Sequence, residues 1–167
     1  MKIGARGAWL SVAIELGMAL GITGALSGQT IDKIKDSEAL VGVRGVQVPP
    51  IPRSDVANMV DVGTIDAEGF THLTLNLAGE LKGAVGQRGE VVAVLIPEIP
   101  PFTTAHRTLG LLPSSFELTA PLSAYGGFYF MAKQVTMEVG FPRYRVLLYN
   151  TSTSTATVAF FAYRTKR

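Results

Sequence analysis

Along most of the chain apolar and polar side chains alternate with the two-residue period of a half-buried β-strand, and only the N-terminal stretch departs from it. Leu73, Leu75 and Leu77 fall on one face of a strand over Phe70 to Ala78, with His72, Thr74 and Asn76 on the other. Glu90 to Ile96 is a continuous apolar run, the mark of a strand buried on both faces. Leu40 to Val48 alternates Val41, Val43, Val46 and Val48 with a phase slip at Arg44-Gly45, which predicts a strand carrying a bulge. Further short strands are predicted within Val56 to Ile65 and over Phe116 to Leu122, Phe128 to Ala132 and Gln134 to Val139. Pro97 to Ser115, punctuated by Pro97, Pro100, Pro101 and Pro113, reads as a long loop. The chain closes with Arg143 to Tyr149 and Thr155 to Tyr163 around Asn150-Thr151-Ser152-Thr153-Ser154. Asn and Ser side chains satisfy turn backbone groups, so the pattern predicts a closing hairpin.

Ala8 to Leu26 is different in kind: apolar almost throughout, interrupted by Ser11, Glu15 and Thr23. As a helix, about 19 residues reach roughly 28 Å, enough to cross the hydrocarbon of a bilayer. Ala13, Gly17, Gly21 and Ala25 recur every fourth residue, giving one face almost no side-chain bulk, which suits close helix packing. Gln29 to Ala39 is a polar connector, and Pro49-Pro50-Ile51-Pro52 reads as an extended spacer. The expected organisation is therefore residues 1–39 as apolar helix and connector, 40–54 as an extended proline-rich arm, and 55–167 as a β-domain with a short basic tail. The fold class is mostly β: a single jelly-roll-like β-sandwich of about eight strands, preceded by an N-terminal apolar α-helix and extended arm.

Composition narrows the function more than it names it. At 167 residues with 47% hydrophobic side chains the chain has a one-domain length and material for a sizeable core. Cysteine is absent, which removes disulfides, thiolate metal sites and a cysteine nucleophile together. The net charge of +2 sets up no strong field toward nucleic acid. A nucleic-acid partner is expected only through the basic tail, Arg164, Lys166 and Arg167.

No motif for catalysis stands out. His72 and His106, the two histidines, lie in different local settings without further ligands at metal-binding spacing, so no metal or cofactor is implied. Asp66-Ala67-Glu68-Gly69 lacks the alternating ligands of a calcium loop and reads as a tight turn. Gly83 to Gly89 is glycine-rich but has no Lys-Ser/Thr of a phosphate loop, and Ser114, Ser115 and Ser123 have no nucleophile elbow around them. Tyr125, Phe128, Tyr129 and Phe130 form the densest aromatic run; alternation places some of these rings in the core and the rest at an interface. An enzyme is the least supported class.

Four readings fit residues 8–26. A basic start, apolar middle and small residues at Ala25 to Gly28 match a secretory signal. Gly7 ahead of an apolar helix with one acid resembles a type IV pilin leader, although Glu15 stands further from the glycine than the acid of that family. A transmembrane anchor would bear the cost of Glu15 in mid-span. A helix buried in a protein assembly gives Glu15 a partner and uses Ala13, Gly17, Gly21 and Ala25 for packing; this reading is preferred, with membrane contact through residues 8–26 held beside it.

The phrases Gly69-Phe70-Thr71-His72-Leu73-Thr74-Leu75, Gly127-Phe128-Tyr129-Phe130, Tyr144 to Ser152 and Thr155 to Tyr163 together resemble small β-sandwich virion proteins of bacteriophages. Those include capsid decoration, minor capsid and tail-associated modules. The resemblance covers about residues 55 to 163, and it implies a non-enzymatic structural protein of a virus particle, a homo-oligomer in contact with other virion proteins, located in the virion. The alternatives are a membrane-anchored surface or pilin-like binding module, and a carbohydrate-binding domain using Tyr125 to Phe130.

Overall fold

The computed structural model describes residues 32–33, 40–81, 88–122 and 129–166. The apolar segment 8–26, with the expected packing residues Ala13, Glu15, Gly17, Gly21 and Ala25, lies outside them, as do Tyr125, Phe128 and Arg167. Among the described residues the strands are β1 Asp32–Lys33, β2 Leu40–Val48, β3 Val60–Asp66, β4 His72–Leu81, β5 Glu90–Pro97, β6 Phe116–Pro121, β7 Tyr129–Met131, β8 Val135–Glu138, β9 Arg143–Asn150 and β10 Ala156–Thr165. One α-helix, α1 Pro100–Leu109, and a 3₁₀ turn at Val56–Asn58 complete them.

The strands form two antiparallel sheets. Sheet A runs β1-β2-β10-β4-β7, with β8 continuing along the same side of β4, and sheet B runs β3-β9-β5-β6. The pairing is nested: β2 with β10, β3 with β9, β4 with β7 and β8, and β5 with β6. The chain is thus one long hairpin, folded at β5 and β6, whose two arms wind together into facing sheets. Between the sheets lie Val43, Val46, Leu73, Leu75, Leu77, Leu95, Val146, Leu148, Val158 and Phe160, the inward half of each alternating pattern. Burying one such Leu or Phe contributes about 1.5–3 kcal/mol.

Where the alternation slips, the backbone slips with it. Val46 pairs with Val158 and Val43 with Phe160, so Arg44 and Gly45 together oppose one residue of β10; Gly45 takes φ 71°, which only glycine adopts freely. Gly79 solves a different problem. A Cβ there would come 2.6 Å from the Phe130 ring and collide with the Thr157 carbonyl, so glycine leaves the space in which Phe130 is buried.

Three expectations are corrected. Residues 40–54 are not an arm ahead of the domain: β2 is an integral strand of sheet A, and the Ile51 amide donates to the Asn150 carbonyl at 2.8 Å. The proline-rich segment after β5 is not all loop, because Pro100 and Pro101 occupy the first helical positions of α1, where a missing N–H costs nothing. The last two strands do not form a hairpin. β9 lies in sheet B and β10 in sheet A, and the polar turn carries the chain from one sheet to the other.

Asn150 holds that crossing. It is fully buried; its Nδ2 donates to the carbonyls of Val48 (3.1 Å) and Ser154 (2.7 Å), and its Oδ1 accepts from the Ser152 amide (2.9 Å). Asn150→Ala leaves these groups without their partner in a buried setting, an expected loss of about 2–4 kcal/mol. Thermal denaturation followed by circular dichroism should show Tm lowered by about 5–15 °C; an unchanged Tm would mean that the turn closes without it.

Candidate functional site

The two outward faces of the sandwich are built differently. On sheet B the outward side chains Val92, Val94, Ile96, Leu147 and Tyr149 are apolar or aromatic, and the chain roofs them with Ile51, Val56, Met59 and Leu111. This second small core is why β5 is buried on both sides, with Val91 to Leu95 at 0% exposure.

Ion pairs frame the roof. Arg145 on β9 reaches Asp61 of β3 at 2.7 Å and Glu98 beyond β5 at 2.8 Å, and Thr64 donates to Glu98 at 3.2 Å. Arg53 grips both carboxylate oxygens of Glu117 at 2.6 and 3.1 Å, and Tyr149 donates its hydroxyl to the same carboxylate at 3.0 Å. The Arg53 hydrogen bond holds the Glu117 carboxyl below its usual range although burial opposes it. Burial, with Glu117 beside it, raises the Tyr149 phenol. Such groups are committed to one another, so the arrangement is structural.

His106 of α1 belongs to the same layer. Its ring is fully buried, Nδ1 accepts from the Leu112 amide at 3.1 Å, and Nε2 lies 3.2 Å from Ser114 Oγ. An acceptor at Nδ1 places the proton on Nε2, and the ring is held neutral. His72 stands elsewhere, on the outward face of β4, with Nδ1 2.9 Å from the Thr71 hydroxyl. The structure therefore does not bring the two histidines together, and among the described residues no three His, Asp or Glu side chains gather to hold a metal.

Sheet A has no such roof among the described residues. Its outward face carries Gln47, Thr74, Asn76, Ala78, Thr157, Ala159, Phe161 and Tyr163, with Arg44, Glu80 and Glu138 as charged residues among them. Gln47 donates to Thr157 at 3.0 Å, and the Thr74 and Thr136 hydroxyls meet at 2.9 Å. The Phe161 ring packs against Gly42, where a side chain would strike it, and the Arg44 guanidinium sits 5.1 Å from the ring centroid. Toward the other end of the strands a shallow groove of about 580 Å³ opens over Gly45, Ala78, Gly79 and Ala159 and is walled by Tyr129 and Met131. These two walls are 76% and 74% exposed, and Tyr163 further along the face is 46% exposed. Three of the five exposed large apolar side chains among the described residues thus share one face, a grouping that marks interaction surfaces.

The aromatic run divides as alternation demands: Tyr129 points out into this groove, while Phe130, 6% exposed, packs into the core. The basic tail divides too. Arg164 is 6% exposed, its guanidinium 4.6 Å over the Phe70 ring and donating to the Asp66 carbonyl, whereas Lys166 is exposed with its ammonium 5.2 Å from the same ring. Sequence reasoning missed Met131, Ala78 and Ala159. Their signal was the small size of the outward residues on β4 and β10, which becomes a groove only when those strands are known to be neighbours. No protein-family model matches the chain, and no curated protein matches it.

Burial pushes the His106 imidazole below its ordinary value of 6.5. The folded state then binds fewer protons than the unfolded one, so the contribution of the neutral ring is present above about pH 6.5 and is lost as pH falls toward the folded value. Melting curves of wild type and His106→Gln between pH 8 and 5 should show the wild-type advantage shrinking below about pH 6.5; an advantage constant over that range would contradict a buried neutral ring.

Proposed function

We propose that the chain is a non-enzymatic structural protein of a virus particle, assembling through contacts of its β-sandwich with the N-terminal apolar segment as tether. The observation that carries this reading is the patch of exposed Tyr129, Met131 and Tyr163 on the outward face of sheet A, uncovered among the described residues, on a sandwich whose opposite face is roofed. The nested strand pairing supports it, because this order is that of a jelly roll, a two-sheet architecture recurrent in viral capsid proteins. Fold alone does not give function, and the same architecture serves lectins. The groove beside Tyr129 is lined mostly by Gly, Ala and apolar atoms, with Glu80 and Thr157 as its polar side chains.

The mechanism is mechanical. A stable contact between subunits buries on the order of 1,000 Å² or more, and symmetry repeats each modest contact around a closed shell or ring. Exposed side chains such as Tyr129 and Met131 supply the apolar centre of such a contact, and polar residues around them, Glu80 and Thr157 among these, supply a rim.

Light-scattering mass of the full-length chain without detergent tests the reading. Wild type should give a discrete oligomer, several times its 17.8 kDa monomer. The double variant Tyr129→Lys, Met131→Glu should shift mass toward monomer while leaving Tm nearly unchanged, since both side chains are exposed. A wild type that stays monomeric at every concentration, or an oligomer indifferent to the double variant, would overturn it.

A further inference from the structure

Taken across the strands, the outward residues of sheet A fall into rows. Ala159 of β10 lies beside Ala78 of β4, which lies beside Met131 of β7, while Arg44 and Gly45 of β2 stand on the other side of Ala159. The next row reads Gln47, Thr157, Glu80 and Tyr129 in the opposite direction, from β2 to β7. The face therefore has a low centre of small side chains, a high rim at exposed Tyr129 and Met131, and a low rim at Gly45. Its charges divide in the same sense, Arg44 on the β2 side and Glu80 beside β7. The ion pairs among the described residues are Arg53–Glu117, Arg107–Asp61, Arg145–Asp61 and Arg145–Glu98, and neither Arg44 nor Glu80 belongs to one.

We infer that this face is self-complementary: it seats the same face of a second copy, related by a two-fold axis running along the strands between β4 and β10. The inference rests on the reading of sheet A as a subunit contact and names the partner. Such an axis sets each row over its own copy with the order reversed. Ala78 then meets Ala159 of the second copy, where two methyl groups let the sheets come close. Met131 stands over Gly45, which has no side chain to oppose it, and Tyr129 over Gln47. Each contact occurs twice.

Charge selects this axis. With β4 and β10 exchanged, Arg44 of one copy lies over Met131 of the other. That is one strand spacing and two residues from Glu80, roughly 8 Å in plan, a span within reach of an arginine side chain. An axis running across the strands would set β2 over β2 and β4 over β4, leaving the opposite charges two strands apart. Size suffices as well. Four strands of nine or ten residues in the longer ones give roughly 600 Å² in plan, so about 1,200 Å² for the pair, at the lower end of specific interfaces.

Charge reversal in the full-length protein tests the contact. Arg44→Glu leaves acid at both positions and Glu80→Arg leaves base at both, so each variant alone opposes like charges twice across the axis. The midpoint concentration of assembly, read by light scattering, should rise about tenfold or more for each. An equimolar mixture of the two variants restores both opposite-charge pairs, and its mass should return to the wild-type curve. Arg44 is exposed and Glu80 half-buried, so each Tm should stay near wild type, and rescue by mixing excludes misfolding as the cause of the loss. A mixture that dissociates like its components, or single variants that assemble like wild type, would overturn the two-fold contact. The assembly reading is judged separately by the Tyr129→Lys, Met131→Glu variant: dissociation there, with the charge variants indifferent, leaves a subunit contact of another geometry and overturns this one. A wild type that is monomeric at every concentration removes both.

Discussion

The sandwich depends on one crossing, the passage from β9 to β10. Each of these strands is flanked on both sides, β9 by β3 and β5 and β10 by β2 and β4, so the five residues between them fix how one sheet faces the other. The buried part of this turn must satisfy its own backbone, and Asn150 does so with a side chain that both donates and accepts. Its bond to the Val48 carbonyl ties down the end of β2, and its own carbonyl receives the Ile51 amide, where the roof of sheet B begins. One buried amide thereby sets the end of β2, the start of the roof and the turn between sheets.

That geometry decides which surface remains open. Once Pro49 to Ile51 are drawn toward β9, residues 51–59 fall across sheet B, and α1 after β5 joins them there. Both connections go to the same side. Among the described residues nothing covers sheet A, and the small outward residues Gly45, Ala78, Gly79 and Ala159 leave room for a neighbour at close range.

Much of this was legible in the residues, and the failures share a cause. Period-two alternation located β4, the continuous run Val91 to Ile96 located a doubly buried β5, and the slip at Arg44-Gly45 marked a bulge, because each signal is local. Alternation says that a residue is in a strand and which face it shows, but not in which sheet. Asn150 to Ser154 have the chemistry of a hairpin turn, and the same chemistry serves a turn between sheets. Pro49 and Pro50 disguised β2 as part of an arm, although they sit just beyond its end. Pro100 and Pro101 disguised α1 as loop, although the first turn of a helix is where proline is best tolerated. The groove was beyond reach for the same reason: Ala78 and Ala159 are 81 residues apart and meet only through the β4–β10 register.

The most direct measurement is the rate at which dilute peroxide oxidises Met131 in the native full-length protein, read by peptide mass beside buried Met59 and half-buried Met137. If the face of sheet A is covered in the working protein, Met131 reacts far more slowly than in the urea-unfolded chain and close to the rate of Met59. If Met131 oxidises as fast in the native protein as in the unfolded chain while Met59 stays protected, the face is bare and no neighbouring subunit occupies it.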